Sequence, residues 1–325
     1  MKVLVTGATG RLGRSLIPQL LAAGHQVRIV VRPGATTQGT ASRRIPPETD
    51  VLPADLSSGA GVTRACLGVD VVIHLAMEMH ADDDQKLAFA QESTRHLLRA
   101  VRGSRTRFIL ASSFSVYDWR RIGAAVTENS PLLETQHAHG YDGYTRAKVS
   151  QERLARRLCK TWNIDLTVLR PATIWSTREE APDCLGPHFG RLQLVVAPHR
   201  TLRLTHVENC ASAFVAALDA RAIGGTFNVA DGFATTAWAF RRASLRVPLS
   251  ARLAQRLSRG ACRLFALLAG GRTLPGLLHA DRLHARFHPA RAGHAAMTAV
   301  LGWHPPNGFE VCCQAADTPP VEAMS

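Results

Sequence analysis

The chain opens MKVLVTGATGRLGRSLIPQLLAAGHQVRIVVRPG, and this stretch constrains the fold more than any other. Lys2 to Thr6 is a short β-branched run, and Thr6-Gly7-Ala8-Thr9-Gly10-Arg11-Leu12-Gly13 then spaces three glycines three residues apart. From Arg14 to Ala23 the apolar residues Leu16, Ile17, Leu20 and Leu21 recur at helical spacing, Gly24-His25 stops that helix, and Val27 to Val31 reads as a second buried strand. Strand, glycine turn, helix and strand within about thirty residues form a βαβ unit. In that setting Gly7 permits the tight turn off the strand. Gly10 lets the backbone approach a pyrophosphate, and Gly13 allows the helix to pack closely on the strand.

The alternation continues. Val51-Leu52 leads to Ala54-Asp55-Leu56, Val69 to Ala76 is an apolar run, and Asp84 to Val101 is a long amphipathic stretch. Arg107 to Ala111 and Asp165 to Arg170 are further buried strands. Strands apolar on both faces and separated by helices predict a parallel sheet covered on both sides, the doubly wound α/β class of the Rossmann type. Residues 1–170 are expected to form the dinucleotide-binding domain, and 171–325 mostly a smaller substrate-binding lobe. The segments at about 205–230, a helix-like Val207 to Leu218 and a strand Thr226 to Ala230, would return to the core. After Arg170-Pro171 the reading is of loops rich in Pro, Gly and His.

At the end of the second strand an acidic side chain would accept hydrogen bonds from the ribose of NAD and repel a 2′-phosphate. Here the strand ends Val31-Arg32-Pro33. A guanidinium at that point, with Arg11 from the glycine loop, favours NADP over NAD.

The formal charge of +14 calls for an anionic partner, and half of the excess lies from residue 233 onward, with eleven Arg, no Lys and four acidic residues. The arginines are dispersed, aromatic residues make up 6%, and no nucleic-acid motif is present, so a phosphate-bearing cofactor or substrate is the better fit than specific nucleic-acid binding. Leu253, Leu257, Leu264 and Leu268 with interleaved arginines read as a cover for a substrate cleft rather than a membrane-surface helix. The odd count of seven cysteines lacks zinc-site spacing, and His137 and His139 lie in a polar loop without carboxylates at ligand spacing, so no metal is expected. With no signal-like start, the expected compartment is the cytoplasm.

Two stretches carry chemistry. Ala111-Ser112-Ser113-Phe114-Ser115-Val116-Tyr117 follows a buried strand, at the carboxyl end where open α/β sheets bind ligands. In Tyr144-Thr145-Arg146-Ala147-Lys148 a phenol and an ammonium stand four residues apart, on one face of a helix. An ammonium beside a phenol favours phenolate and would lower its pKa.

With TGATGRLG, ASSFSVY, YTRAK and LRPATI in this order, the chain resembles an extended short-chain dehydrogenase/reductase, of the NAD(P)-dependent epimerase/dehydratase type. The resemblance covers about residues 1–232, and Leu301-Gly302-Trp303-His304-Pro305 resembles a motif near the end of such chains. It implies Tyr144 as general acid/base, Lys148 as the residue that lowers its pKa and holds the nicotinamide ribose, and Ser113, with Ser112 and Ser115 as neighbouring alternatives, as the hydroxyl that orients the substrate oxygen. It also implies that Gly7, Gly10, Arg11, Leu12, Gly13 and Arg32 hold the dinucleotide. Asp55 and Leu56 would lie at the adenine, Leu75 and Ala76 along the cofactor, and Pro171 and Ala172 near the nicotinamide. A homodimer through a four-helix interface is implied as well.

The sequence departs from the family pattern at Ala90, where an Asn commonly supports a water relay. It departs again at Asn209, where Asp is usual, and at Asp118, where Gly commonly follows Val-Tyr. Phe114 and Ser115 occupy positions that carry an Asp-Glu pair in sugar-nucleotide dehydratases, and Ala172-Thr173-Ile174 lacks the Asn of many UDP-sugar 4-epimerases. The expectation is hydride transfer between nicotinamide and a secondary alcohol or ketone. A nucleotide-sugar epimerase with bound NAD is the alternative, and a dinucleotide-binding regulator without turnover is the third.

Overall fold

The computed structural model of the 325-residue chain describes residues 1–34, 45–134, 141–177, 185, 188–189, 192–244, 249–253 and 280–314. Seven strands form the main sheet: β1 (Lys2–Thr6), β2 (Gln26–Val31), β3 (Asp50–Pro53), β4 (Val71–His74), β5 (Arg107–Ala111), β6 (Leu166–Pro171) and, from much later, Thr226–Val229. In space the order is Thr226–Val229, β6, β5, β4, β1, β2, β3, and every pairing is parallel. The order reverses between β1 and β4, which opens a crevice at the carboxyl ends of those two strands.

Strict alternation along each strand sends side chains to two separate cores. Val3, Val5, Ile29, Ile73 and Ile109 pack with Leu16, Ile17 and Leu20 of α1 (Arg11–Ala22) and with Phe214 of a helix at Val207–Ala216. Leu4, Val72, Phe108 and Leu110 pack with Leu97 and Leu98 and with Ala155 and Cys159, on two helices at Asp83–Ala100 and Gly143–Trp162. A five-residue helix, α2, lies at Val62–Cys66, and the two long helices are α3 and α4. Asp82 closes the start of α3 with a reciprocal capping box to Gln85, and Asp142 caps α4 by accepting from Thr145 N at 2.7 Å.

The sequence placed the start of α1 at Arg14. It begins at Arg11, with Gly10 as its N-cap, so Arg11, Leu12 and Gly13 lie in its first turn. The segment expected to be loops after Pro171 contains short strands. Thr173–Trp175 pairs with Leu204–His206, and Leu192–Val196 lies between His188–Phe189 and Leu249–Leu253. Each is two to five residues long, too short to show a readable alternation.

The departures of the sequence have local structural roles. Asn209 is fully buried and pairs both ways with Asn307, donating Nδ2 to its carbonyl at 2.9 Å and accepting its N–H at 3.0 Å. A carboxylate could not make the first of these bonds. Asp118 caps the turn at Arg120 and pairs with its guanidinium at 2.9 Å. Trp303, in the Leu301–Pro305 motif, joins the α1 core and donates to Ser212 Oγ at 3.0 Å. No helix among the described residues is long and apolar enough to cross a membrane. Residues 135–140, with His137 and His139, and 254–279, with Leu257 to Leu268, lie outside the described residues.

Candidate active site

A cavity of about 1520 Å³ runs along the carboxyl end of the sheet. One end is the glycine loop. Gly7 has φ +71°, and a Cβ there would come within 2.8 Å of Ala76 N; one at Gly13 would lie 2.4 Å from Gly7 O. Gly10 is the N-cap of α1, no side chain caps that end, and no acidic residue stands in the first turn. The first N–H groups of α1 are thus left to the cavity, with the positive end of the helix dipole behind them. That cradle fits a pyrophosphate.

The structure brings Gly7, Gly10, Arg11, Leu12, Gly13, Arg32, Leu56, Leu75 and Ala76 to this end, and Ser113, Tyr144, Lys148, Pro171 and Ala172 to its continuation. Asp55 is the exception. Its carboxylate accepts from Ser57 N at 2.9 Å and Ser58 Oγ at 2.8 Å, closing its own turn, and it does not line the cavity as its neighbour Leu56 does. Arg32 lines the cavity but is joined to Glu78 at 2.5 Å.

The three serines after β5 are separated by their partners. Ser112 is buried and donates to Glu152 at 2.5 Å. Ser113 caps the turn by accepting from Ser115 N, and its hydroxyl also hydrogen-bonds the Tyr144 phenol. Ser115 Oγ, on the cavity wall, is buried and has no hydrogen-bond partner among the described residues; the same holds for Trp175 Nε1. Among the described residues, Ser113 is the one of the three that bonds the phenol.

Glu152 anchors this arrangement. Its carboxylate takes two bonds from Arg170, at 2.6 and 3.1 Å, as well as those of Arg156 and Ser112. Burial alone would push that carboxyl up, but Arg170 holds it below the usual carboxylate range. Arg170 continues to Tyr117 OH at 3.0 Å, and Tyr117 donates to Asn228 at 2.6 Å. The segment after β5 is in this way pinned to α4 and β6, and Ser113 is pinned with it.

The expectation of a lowered Tyr144 pKa is corrected by the structure. Burial pushes the phenol above its ordinary value, opposed by the hydrogen bond from Ser113. Lys148 Nζ donates to Ala111 O at 2.7 Å and Gln151 Oε1 at 3.0 Å rather than to the phenol. Burial lowers Lys148 itself to about 8.

The far end of the cavity is lined by Phe114, Trp119, Tyr141, Trp175, Arg200, Arg203 and Arg286. Phe114 was read from the sequence as a departure within the Ala111–Tyr117 stretch and not as a site residue; the others come from segments up to 167 residues apart, Trp119 to Arg286, with no shared motif. Gln151 and His74, which lie under Lys148, were missed as well. Gln151 did carry a signal, since it follows Lys148 by three residues on the same helix.

Comparison with known proteins follows this geometry. The chain matches the model of the NAD dependent epimerase/dehydratase family over residues 3–230. A 3-diazoavenalumate denitrifying reductase of a Streptomyces species is 31% identical over 241 residues, covering 69% of this chain and 74% of the relative. The 3 beta-hydroxysteroid dehydrogenase/Delta 5-->4-isomerase of Mycobacterium tuberculosis is 28% identical over 189 residues, 55% of this chain and 48% of that protein, so the match spans about half its length. Among solved structures, UDP-glucuronic acid 4-epimerase from Bacillus cereus, in complex with UDP-glucuronic acid and NAD, shares the fold with TM-score 0.70 at 21% identity, covering 97% of this chain and 98% of that one.

Proposed function

Because the chain belongs to the NAD-dependent epimerase/dehydratase family, we propose that it is an NAD(P)-dependent oxidoreductase moving a hydride between nicotinamide and a secondary alcohol or ketone. The observation that carries this reading is the convergence of Ser113, Tyr144 and Lys148 on the cavity that begins at the glycine loop.

The α1 N-terminus and the glycine loop would hold the pyrophosphate, with Leu75, Ala76, Pro171 and Ala172 along the rest of the dinucleotide. When bound, the dinucleotide supplies the hydride acceptor or donor. For ketone reduction, Tyr144 donates its phenolic proton to the substrate oxygen. For alcohol oxidation, it accepts that proton. Ser113 donates to the same oxygen as its charge changes. Lys148, two of whose three N–H groups are fixed on Ala111 O and Gln151, provides positive charge near the phenol and its remaining donor for the ribose. NADP is placed ahead of NAD because the residue directly after β2 is Arg32 rather than an acid.

Two features of the wall support a substrate with an anionic or strongly hydrogen-bonding group on a flat apolar body. Trp119, Phe114 and Trp175 provide the apolar surface, and Arg200, Arg203 and Arg286 stand beside it. Ser115 and Trp175, two residues of this wall, each hold a buried polar atom, Oγ and Nε1, with no hydrogen-bond partner among the described residues. A homodimer belongs to the same proposal. It rests on the family resemblance, in which the helix carrying Tyr144 and Lys148 forms part of the interface between copies.

Tyr144→Phe tests the reaction. It is expected to lower kcat by about 10²- to 10⁴-fold on whichever carbonyl substrate the enzyme reduces, while the cofactor Kd changes by less than about twofold. Turnover retained in that variant would sink the assignment.

A further inference from the structure

Below Lys148 lies a set of buried polar side chains drawn from four elements. The amide nitrogen of Gln151 is 3.1 Å from Thr94 Oγ1 on α3 and 3.1 Å from His74 Nε2 on β4. Thr94 donates its one hydroxyl proton to Ala90 O at 2.7 Å. His74 Nδ1 is 2.8 Å from Thr6 Oγ1, at the end of β1, and that oxygen also accepts Ala76 N at 3.2 Å. Lys148 is 4% exposed, and Gln151, His74, Thr94 and Thr6 are 1% or less.

Donor and acceptor counting leaves one arrangement. Since the Thr94 proton goes to Ala90, its oxygen can only accept from Gln151. The amide NH₂ group therefore faces Thr94 and His74, and the amide oxygen faces the Lys148 ammonium; the flipped amide would set NH₂ against NH₃⁺. With that N–H aimed at it His74 Nε2 must accept, and the buried Ser93 Oγ on α3, 3.4 Å from the same nitrogen, can then only donate to it; the imidazole proton sits on Nδ1 and is donated to Thr6. A neutral imidazole is what this requires, and burial with the nearby Lys148 charge holds His74 down at about 3. Ala90, at the position where the family pattern has an Asn, contributes only its carbonyl to the set.

We propose that Gln151 is a positioning residue for the hydride-transfer reaction: braced by Thr94 and His74, it holds the Lys148 ammonium in place from α4 by a side-chain amide, without an amide at position 90. The proposal rests on the reading of Tyr144 and Lys148 as the proton-handling pair. Through His74 and Thr6 the same brace reaches the backbone of Ala76 on the cofactor wall.

Among the described residues, the other titratable or charged groups facing Lys148 are few. They are His74 on β4, Tyr144 one turn earlier on α4, and Glu152 on α4, whose charge is met by Arg170 of β6 and Arg156. Removing the amide oxygen destabilises the ammonium, and replacing it with a carboxylate stabilises it.

The test is the pH profile of kcat/KM for carbonyl reduction, together with thermal unfolding, in Gln151→Leu, Gln151→Glu and Thr94→Val. The expected result is a tenfold or greater loss of kcat in Gln151→Leu, with the alkaline limb displaced to lower pH. In Gln151→Glu the limb moves to higher pH and much of kcat returns. Thr94→Val, which keeps the side-chain shape, shifts the limb in the same direction as Gln151→Leu and by less. If Gln151→Leu does not fold, the opposite displacements in Gln151→Glu and Thr94→Val decide. An unmoved limb, or displacement of all variants in one direction, overturns the positioning role. Failure of the underlying reading is separate: it shows as turnover surviving in Tyr144→Phe, whatever the Gln151 variants do.

Discussion

Arg32 and Glu78 form a 2.5 Å ion pair just beyond the end of β2, with side chains 67% and 24% exposed. Arg32 is the residue expected to meet a 2′-phosphate, yet its guanidinium is already met by a carboxylate, and that carboxylate is in turn held below its usual range by the arginine's hydrogen bond. A phosphate arriving there competes with Glu78 and lies near its negative charge. Glu78→Gln is expected to tighten NADPH binding by several-fold to about tenfold, the scale of one exposed charge pair, with NADH little changed. Fluorescence titration of both nucleotides checks it, and equal shifts for the two would show that neither residue reads the 2′ position. The Tyr144 phenol teaches a related point. Its spacing from Lys148 is legible in the sequence, but its pKa is set by burial and by where the ammonium protons point.

At the scale of elements, the first βαβ unit is where local sequence and tertiary contact agree best. Gly13 sits in the first turn of α1, directly over the loop it follows. A Cβ there would meet Gly7 O at 2.4 Å and Ala8 O at 2.6 Å, both backbone atoms that cannot swing aside. Gly13→Ala must therefore push α1 off the strand. The expected cost is about 1–3 kcal/mol of stability with at least a tenfold loss of cofactor affinity. Gly123→Ala is the control, since nothing lies within 4 Å of a Cβ there. Calorimetry and nucleotide titration on the two variants check the contrast, and matched behaviour would contradict the packing argument. The short strands after Pro171 show the opposite case. Thr173–Trp175 exists because Leu204–His206 lies beside it, a pairing across about thirty residues that local periodicity does not encode.

At the scale of the molecule, the late segments are tied to the sheet through Asp231. Its carboxylate accepts from Thr205 Oγ1 at 3.0 Å and from His206 N at 2.6 Å, joining the end of the Thr226–Val229 strand to the short strand Leu204–His206. Burial raises it to about 6 despite these bonds. A carboxyl whose folded pKa is raised binds its proton more tightly when folded. Its stabilising contribution is thus present at low pH and is lost as pH rises through about 6, a cost on the order of 3 kcal/mol by neutral pH. Asp231→Asn removes this dependence. The stability of the variant relative to wild type is expected to rise between about pH 4 and pH 6, read from denaturant unfolding at a series of pH values. A difference that stays flat across that range would show that Asp231 is ionised at no such cost.

The sequence by itself determined the parallel doubly wound sheet and the glycine loop that begins it, and it set Tyr144 and Lys148 on one helix face with three candidate serines after β5. Each of these rests on residues close together in the chain: a glycine spacing, short runs apolar on both faces set between helical patterns, a pair four apart on a helix. Only the tertiary structure decided which serine faces the phenol, that Asp55 turns to its own loop, that Glu78 meets Arg32, and that Gln151 is braced by His74 and Thr94. These depend on partners up to 77 residues distant, as in the contact of Gln151 with His74, and on desolvation. Both arise from what surrounds a side chain in space, and neither leaves a local pattern in the order of the residues.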